Sequence, residues 1–197
     1  MITLASVALA SEVYATEPEK QVLALQAFPI EPQQHKLLTL CKTVLGVEGV
    51  KSAFKISAVP HMTIGSWNVT ESELKEARAV FEKRLSAMEP LEFQVQLAKV
   101  EEDGFFEYYL IPLDPTDALK RFHKQIHDAL GFDYETQRSI DLPGQWWPHI
   151  SLFAVEPGLE SEQVDRLVSE LEKTSTICIN GLGLVTFPIQ TVEELRF

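Results

Sequence analysis

Histidine is the side chain best suited to moving protons near neutral pH, because its ordinary pKa is about 6.5. The chain holds five, and two of them stand in closely matched surroundings: Pro60-His61-Met62-Thr63-Ile64 and Pro148-His149-Ile150-Ser151-Leu152. Each motif is a histidine, one apolar residue and a hydroxyl residue, preceded by proline and set in an apolar, β-rich run. Side chains alternate faces along a strand. His61 and Thr63 therefore share a face, with Met62 and Ile64 behind them. His149 and Ser151 share a face in the same way, with Ile150 and Leu152 behind. If the two strands lie side by side, two imidazoles and two hydroxyls converge on one small ligand. One imidazole can remove a proton while the other donates one, and the hydroxyls can hold oxygens where negative charge develops. Opening or forming a phosphodiester at a ribose 2′ oxygen needs those groups, and the scheme calls for no metal and no cofactor. A single motif of this kind is better explained as a buried histidine satisfied by a neighbour. The pair, in matched context, points to function.

Other residues could serve the same site. Trp147 and Phe153 share the parity of His149 and Ser151, and Trp147 is the candidate to stack on a base. Trp67 shares the parity of His61 and would rim the pocket, whereas Trp146 has the opposite parity and belongs in the core. One of Tyr108 and Tyr109 should project into the groove, but parity does not choose between them. Arg138 is a candidate phosphate contact. Lys51 and Lys55 read as surface charges. His123 and His127 have the spacing of metal ligands on a helix. Their neighbours Lys120, Arg121 and Lys124 instead suggest a solvated basic face. Gly181-Leu182-Gly183 reads as a turn or bulge, because no Lys-Ser/Thr follows to make a phosphate loop.

The elements that must position these groups alternate between periods of 2 and 3.6. Val22–Phe28 reads as a buried strand. A helix opens at Glu31-Pro32, with Leu37, Leu38, Cys41, Val44 and Leu45 on one face. A β-rich run from Phe54 to Trp67 precedes Thr70-Glu71-Ser72-Glu73, a capping box that starts a second helix. Residues 91–101 alternate as one strand, which pairs as a hairpin with 105–112. Asp114 and Pro115 suit the first positions of a third helix, carrying Leu119, Phe122, Ile126 and Leu130 inward. Residues 146–155 form a strand, 161–173 a fourth helix, and 175–187 and 191–197 two final strands. The expected fold is α+β, with two pseudo-symmetric lobes. Each lobe is a mostly antiparallel sheet backed by helices, and a central groove holds the motifs. The expected organisation is an N-terminal arm over 1–20 and a single bilobal domain over 21–197.

With this order and these motifs, the chain resembles the two-histidine (2H) phosphoesterases, which include cyclic phosphodiesterases and 2′-5′ RNA ligase-like proteins. The run Trp147-Pro148-His149-Ile150-Ser151-Leu152 is especially like the family's second motif. The resemblance implies a phosphodiesterase acting on a 2′,3′-cyclic phosphate or a 2′-5′ linkage, without metal or cofactor. His61 and His149 would be catalytic, with Thr63 and Ser151 on the phosphate. A 2′-5′ RNA ligase and a non-catalytic nucleotide-binding module are the alternatives. Composition narrows the partners. A chain of 197 residues with 29 acidic and 17 basic side chains carries a net charge of −12. That excludes gripping long nucleic acid by charge, which needs many Lys and Arg contacts to phosphate. A small nucleotide or short RNA remains, bound by a monomer. No apolar run approaches the roughly 18 residues of a membrane span. Two cysteines make no disulfide framework and fit a cytoplasmic setting. The small apolar start, Met1–Ala10, lacks the basic residues of a signal peptide.

Overall fold

The computed structural model describes residues 20–52, 59–85, 90–102, 106–113, 116–130, 144–186 and 190–196. The N-terminal segment, Lys55, Asp114, Pro115 and Arg138 lie outside them. The strands are β1 (Gln21–Pro29), β2 (Val50–Ser52), β3 (Met62–Val69), β4 (Leu91–Gln94), β5 (Ala98–Glu102), β6 (Phe106–Pro112), β7 (His149–Val155), β8 (Thr176–Thr186) and β9 (Gln190–Arg196). The helices are α1 (Glu31–Lys42), α2 (Glu71–Leu85), α3 (Asp117–Leu130) and α4 (Glu162–Leu171). All strand pairings are antiparallel and form one sheet, in the order β4-β8-β1-β3-β7-β6-β5. β9 adds to β8 and β2 to β7. The expected α+β architecture is therefore present. Its two halves, β4-β8-β1-β3 and β7-β6-β5, meet at a single pair, Met62 opposite Ile150.

Local chemistry sets the element ends. In the capping box, the Thr70 backbone N–H donates to Glu73 Oε2 at 2.7 Å and the Glu73 N–H donates to Thr70 Oγ1 at 3.3 Å. Ser161 caps α4 by accepting from the Val164 N–H. At the start of α3 the Thr116 hydroxyl accepts from the Leu119 N–H at 3.2 Å, a capping contact two residues after the expected Asp114. The single strand expected over 91–101 is two strands. β4 pairs with β8 and β5 with β6, so the chain crosses between the halves at Val95–Leu97. The alternating pattern runs on through the crossing because Val95 and Leu97 keep packing against the core. Leu45, expected on the buried face of α1, is half-exposed beyond the helix end. Gly181-Leu182-Gly183 lies inside β8 rather than in a turn, and the backbone slips by one residue beside it, at Asn180.

One contiguous apolar cluster backs the sheet. Leu23, Leu25 and Ala27 of β1, Met62, Ile64 and Trp67 of β3, Ile150, Leu152 and Phe153 of β7, and Leu182 and Leu184 of β8 meet the inner faces of all four helices. Within it a ladder of rings crosses behind the motif strands. Trp146 stacks on His123 at 4.2 Å between centroids, His123 lies 4.3 Å from His127, and His127 lies 5.1 Å from Trp67. This overturns the expected solvated face for His123 and His127, each of which is 2% exposed. Helical periodicity places them beside Phe122 and Ile126, and the flanking lysines turn the other way. No third metal-ligating group joins them among the described residues.

Gly65 is the tightest point of this packing. A Cβ there would lie 2.5 Å from Trp67 Cη2 and 3.0 Å from His127 Nε2. Overpacking of this kind typically costs about 1–3 kcal/mol. Gly65→Ala should lower the stability measured by thermal or urea unfolding by that amount. Equal unfolding midpoints for Gly65→Ala and the parent would refute the packing argument.

Candidate active site

The pairing of Met62 with Ile150 fixes the geometry of both motifs. In an antiparallel ladder, one step in each direction sets His61 across from Ser151 and Thr63 across from His149. Neighbouring strands are about 4.8 Å apart. Met62 and Ile150 are fully buried beneath, so the four polar side chains rise on the opposite face. The sequence pattern brought these four together, and the structure does the same. Neither the Thr63 nor the Ser151 hydroxyl has a hydrogen-bond partner among the described residues, so both can engage a ligand.

The two imidazoles are held alike. His61 Nδ1 lies 2.8 Å from the Val59 carbonyl, and His149 Nδ1 lies 3.0 Å from the Trp147 carbonyl. A carbonyl oxygen can only accept, so each Nδ1 carries a proton and donates it. In the neutral ring this leaves Nε2 as the free base, and in the charged ring Nε2–H becomes the acid. The prolines at 60 and 148 sit inside these two-residue loops and lack an N–H to compete for the carbonyls. The rings differ in environment. Burial holds the His61 pKa below the ordinary imidazole value. The Val59 carbonyl partly opposes this, and the charge of nearby His149 adds to the lowering.

Each motif is followed by an extra residue. Leu25 faces Gly65 and Gln26 faces Thr63, which leaves Ile64 unopposed. Tyr109 faces Phe153 and Leu110 faces Ser151, which leaves Leu152 unopposed. Such bulges reverse the facing of every later residue relative to simple alternation. Two expectations fail for this reason. Trp67 does not rim the pocket. It is 1% exposed and packs against His127 on the helix side. Phe153 also turns inward, where Tyr109 stacks on it at 4.6 Å. The bulge also resolves the tyrosines: Tyr109 goes to the core, and Tyr108 shares the face of Leu110 and Ser151.

Trp146 lies in the core-side ladder, as parity indicated, and does more than fill space. Its indole N–H donates to the Thr63 carbonyl at 3.0 Å, and His127 Nε2 lies 3.4 Å from the Ile64 carbonyl. Residues preceding the second motif and residues of α3 thus hold the bulge of the first. Trp147 is 43% exposed, with its ring centroid 4.8 Å from that of His149. Lys51 is exposed, as expected, and its ammonium sits 3.6 Å from the Phe106 ring centroid.

Gln26 escaped the sequence reading. It is the nearest site-face neighbour of Thr63 on β1, and it is 6% exposed. The one signal for it was a polar residue inside the apolar run Val22–Phe28.

A model of the 2′-5′ RNA ligase superfamily matches residues 58–176, more than half of the chain and both motifs. No curated protein matches the sequence. Among solved structures, TT0787 of Thermus thermophilus superposes with a TM-score of 0.57 at 16% identity, covering 89% of this chain and 97% of that one. E. coli LigT complexed with phosphate gives 0.52 at 9% identity, covering 90% and 98%. At these identities the neighbours speak for the fold, and the family match speaks for the lineage. The chain belongs to the 2′-5′ RNA ligase superfamily, the two-histidine phosphoesterases.

Proposed function

We propose that the protein is a phosphodiesterase acting on a 2′,3′-cyclic phosphate or 2′-5′ linkage of a nucleotide or short RNA. The observation that carries this reading is the four-group cluster: two imidazoles and two hydroxyls interleaved on adjacent strands, with each Nε2 and each hydroxyl unengaged among the described residues. His61 acts as the general base, because its lowered pKa keeps it neutral at pH 7. It takes a proton from water as the oxygen attacks phosphorus. One ribose P–O bond breaks, and His149 Nε2–H passes its proton to the leaving oxygen. Thr63 and Ser151 donate to the two non-bridging oxygens as charge builds on them. The LigT structures carry phosphate, 3′-AMP, ATP and NADP+, in keeping with a small phosphorylated ligand here. A net charge of −12 favours such a ligand over a long RNA and over ligation of two RNA ends.

A panel of 2′,3′-cyclic mononucleotides, ADP-ribose 1″,2″-cyclic phosphate and 2′-5′ dinucleotides, assayed with EDTA, tests the assignment. Turnover of at least one is expected. His61→Ala and His149→Ala should each lower kcat/KM by about 10²–10⁴-fold. The parent profile should be bell-shaped. Its acid limb should rise through a midpoint below 6.5, since activity needs His61 deprotonated and burial lowers its pKa. His61→Ala should abolish that limb. An acid midpoint at or above 6.5 would overturn the base assignment, and full activity in both variants would overturn the mechanism.

The exposed indole of Trp147 stacks on the substrate's base. Base–aromatic stacking is worth about 1–3 kcal/mol, so Trp147→Ala should raise KM for a cyclic mononucleotide by roughly 5- to 150-fold. The KM for a ribose cyclic phosphate without a base should stay unchanged. An equal rise for both substrates would argue against stacking.

A further inference from the structure

Gln26 is out of character with its strand. From Leu23 to Pro29 every other position of β1 is apolar and buried. The Gln26 side chain has no hydrogen-bond partner among the described residues, and its amide is not one of the fully buried unpartnered groups. Its place in the ladder says what it faces. Thr63 lies across from it on one side and Gly183 on the other, so its side chain shares the face of Thr63 with no side chain flanking it from Gly183 on β8.

The two-fold likeness of the halves sharpens this. Leu110 faces Ser151 as Gln26 faces Thr63. Both are buried, at 5% and 6% exposed. The catalytic groups match across the two halves, whereas these flanking positions hold a leucine and an amide. A phosphate offers two equivalent non-bridging oxygens, but this site gives one of them a second polar neighbour. We propose that the Gln26 amide is a third phosphate contact, donating an N–H to the phosphoryl oxygen that Thr63 also holds. It thereby fixes which way the reacting phosphate sits between His61 and His149. The inference rests on the proposed function, in that both need a phosphoryl group in this pocket.

Three variants test it: Gln26→Leu, which copies Leu110, Gln26→Met, close to glutamine in shape, and Gln26→Glu. Each is assayed for kcat/KM on a 2′,3′-cyclic mononucleotide, for inorganic phosphate affinity by calorimetry, and for unfolding midpoint. Gln26→Leu and Gln26→Met should keep or raise the midpoint, because an apolar group replaces a buried amide. They should lose about 10-fold or more in kcat/KM and in phosphate affinity. Gln26→Glu should lose more at pH 8 and recover as the pH falls and its carboxyl protonates, because a phosphoryl oxygen can only accept. Parental phosphate affinity in Gln26→Met would overturn the contact. Parental affinity in Gln26→Glu across the pH range would overturn it too, and would mark a donor such as a sugar hydroxyl at this position. A parent protein that binds phosphate but turns over nothing on the panel would sink the phosphodiesterase reading and leave Gln26 to be decided by the calorimetry. A parent that does neither overturns both.

Discussion

The site depends on one backbone pairing. Met62 and Ile150 alone pair β3 with β7 among the described residues, and through them the two halves of the sheet become one. Both side chains are fully buried, so the apolar face beneath fixes the register above. A slip by one residue would turn each histidine into the core and lift a methionine or isoleucine onto the site face. The desolvation cost of that exchange protects the alignment better than any contact among the polar groups could. His61, Thr63, His149 and Ser151 need not hold one another and stay open to a ligand.

The bulges at Ile64 and Leu152 do the complementary work. Each reverses the parity of its strand immediately after the hydroxyl, so that Trp67 and Phe153 return to core packing. Trp67, Tyr109 and Phe153, three of the larger rings near the site, are thereby sent to the helix side. The first bulge is braced by Trp146 through the Thr63 carbonyl and by His127 near the Ile64 carbonyl. The two buried histidines on α3 thus have a structural occupation, as part of a ring ladder that spans from the approach to the second motif to the strand of the first.

This pattern explains what was legible in the chain. The motifs, their facing and nearly all elements could be read because burial imposes periods of 2 and 3.6 directly on the sequence. Trp67 and Phe153 were misplaced because a bulge adds a residue without changing composition, so parity carried across it gives the wrong face. His123 and His127 were misplaced because their neighbours Lys120, Arg121 and Lys124 dominate a local view of charge, while the helical angle turns the rings inward. Residues 91–101 read as one strand because an alternating apolar pattern records which side is buried and not which strand is the partner. Gln26 looked like a blemish in a core strand, and only the β1–β3 register shows that it stands beside Thr63.

A site built from two like halves has a difficulty that its chemistry must resolve. Acid–base catalysis at phosphorus needs one imidazole neutral and one charged, but matched motifs supply two similar rings with the same Nδ1 anchor. Differences outside the motifs must separate them. Deeper burial lowers the pKa of His61, and the charge of His149 pushes it the same way. A proton on His149 disfavours one on His61, so the doubly charged pair is suppressed. The overall charge of −12 acts on a larger scale. Exposed charges are screened over about 8 Å at physiological salt, so a single phosphate enclosed by hydroxyls and imidazoles is answered locally. Under the proposed function one imidazole accepts while the other imidazole and the two hydroxyls donate, so the pocket is suited to one phosphate at a time, and the net charge opposes a long polyanion in bulk.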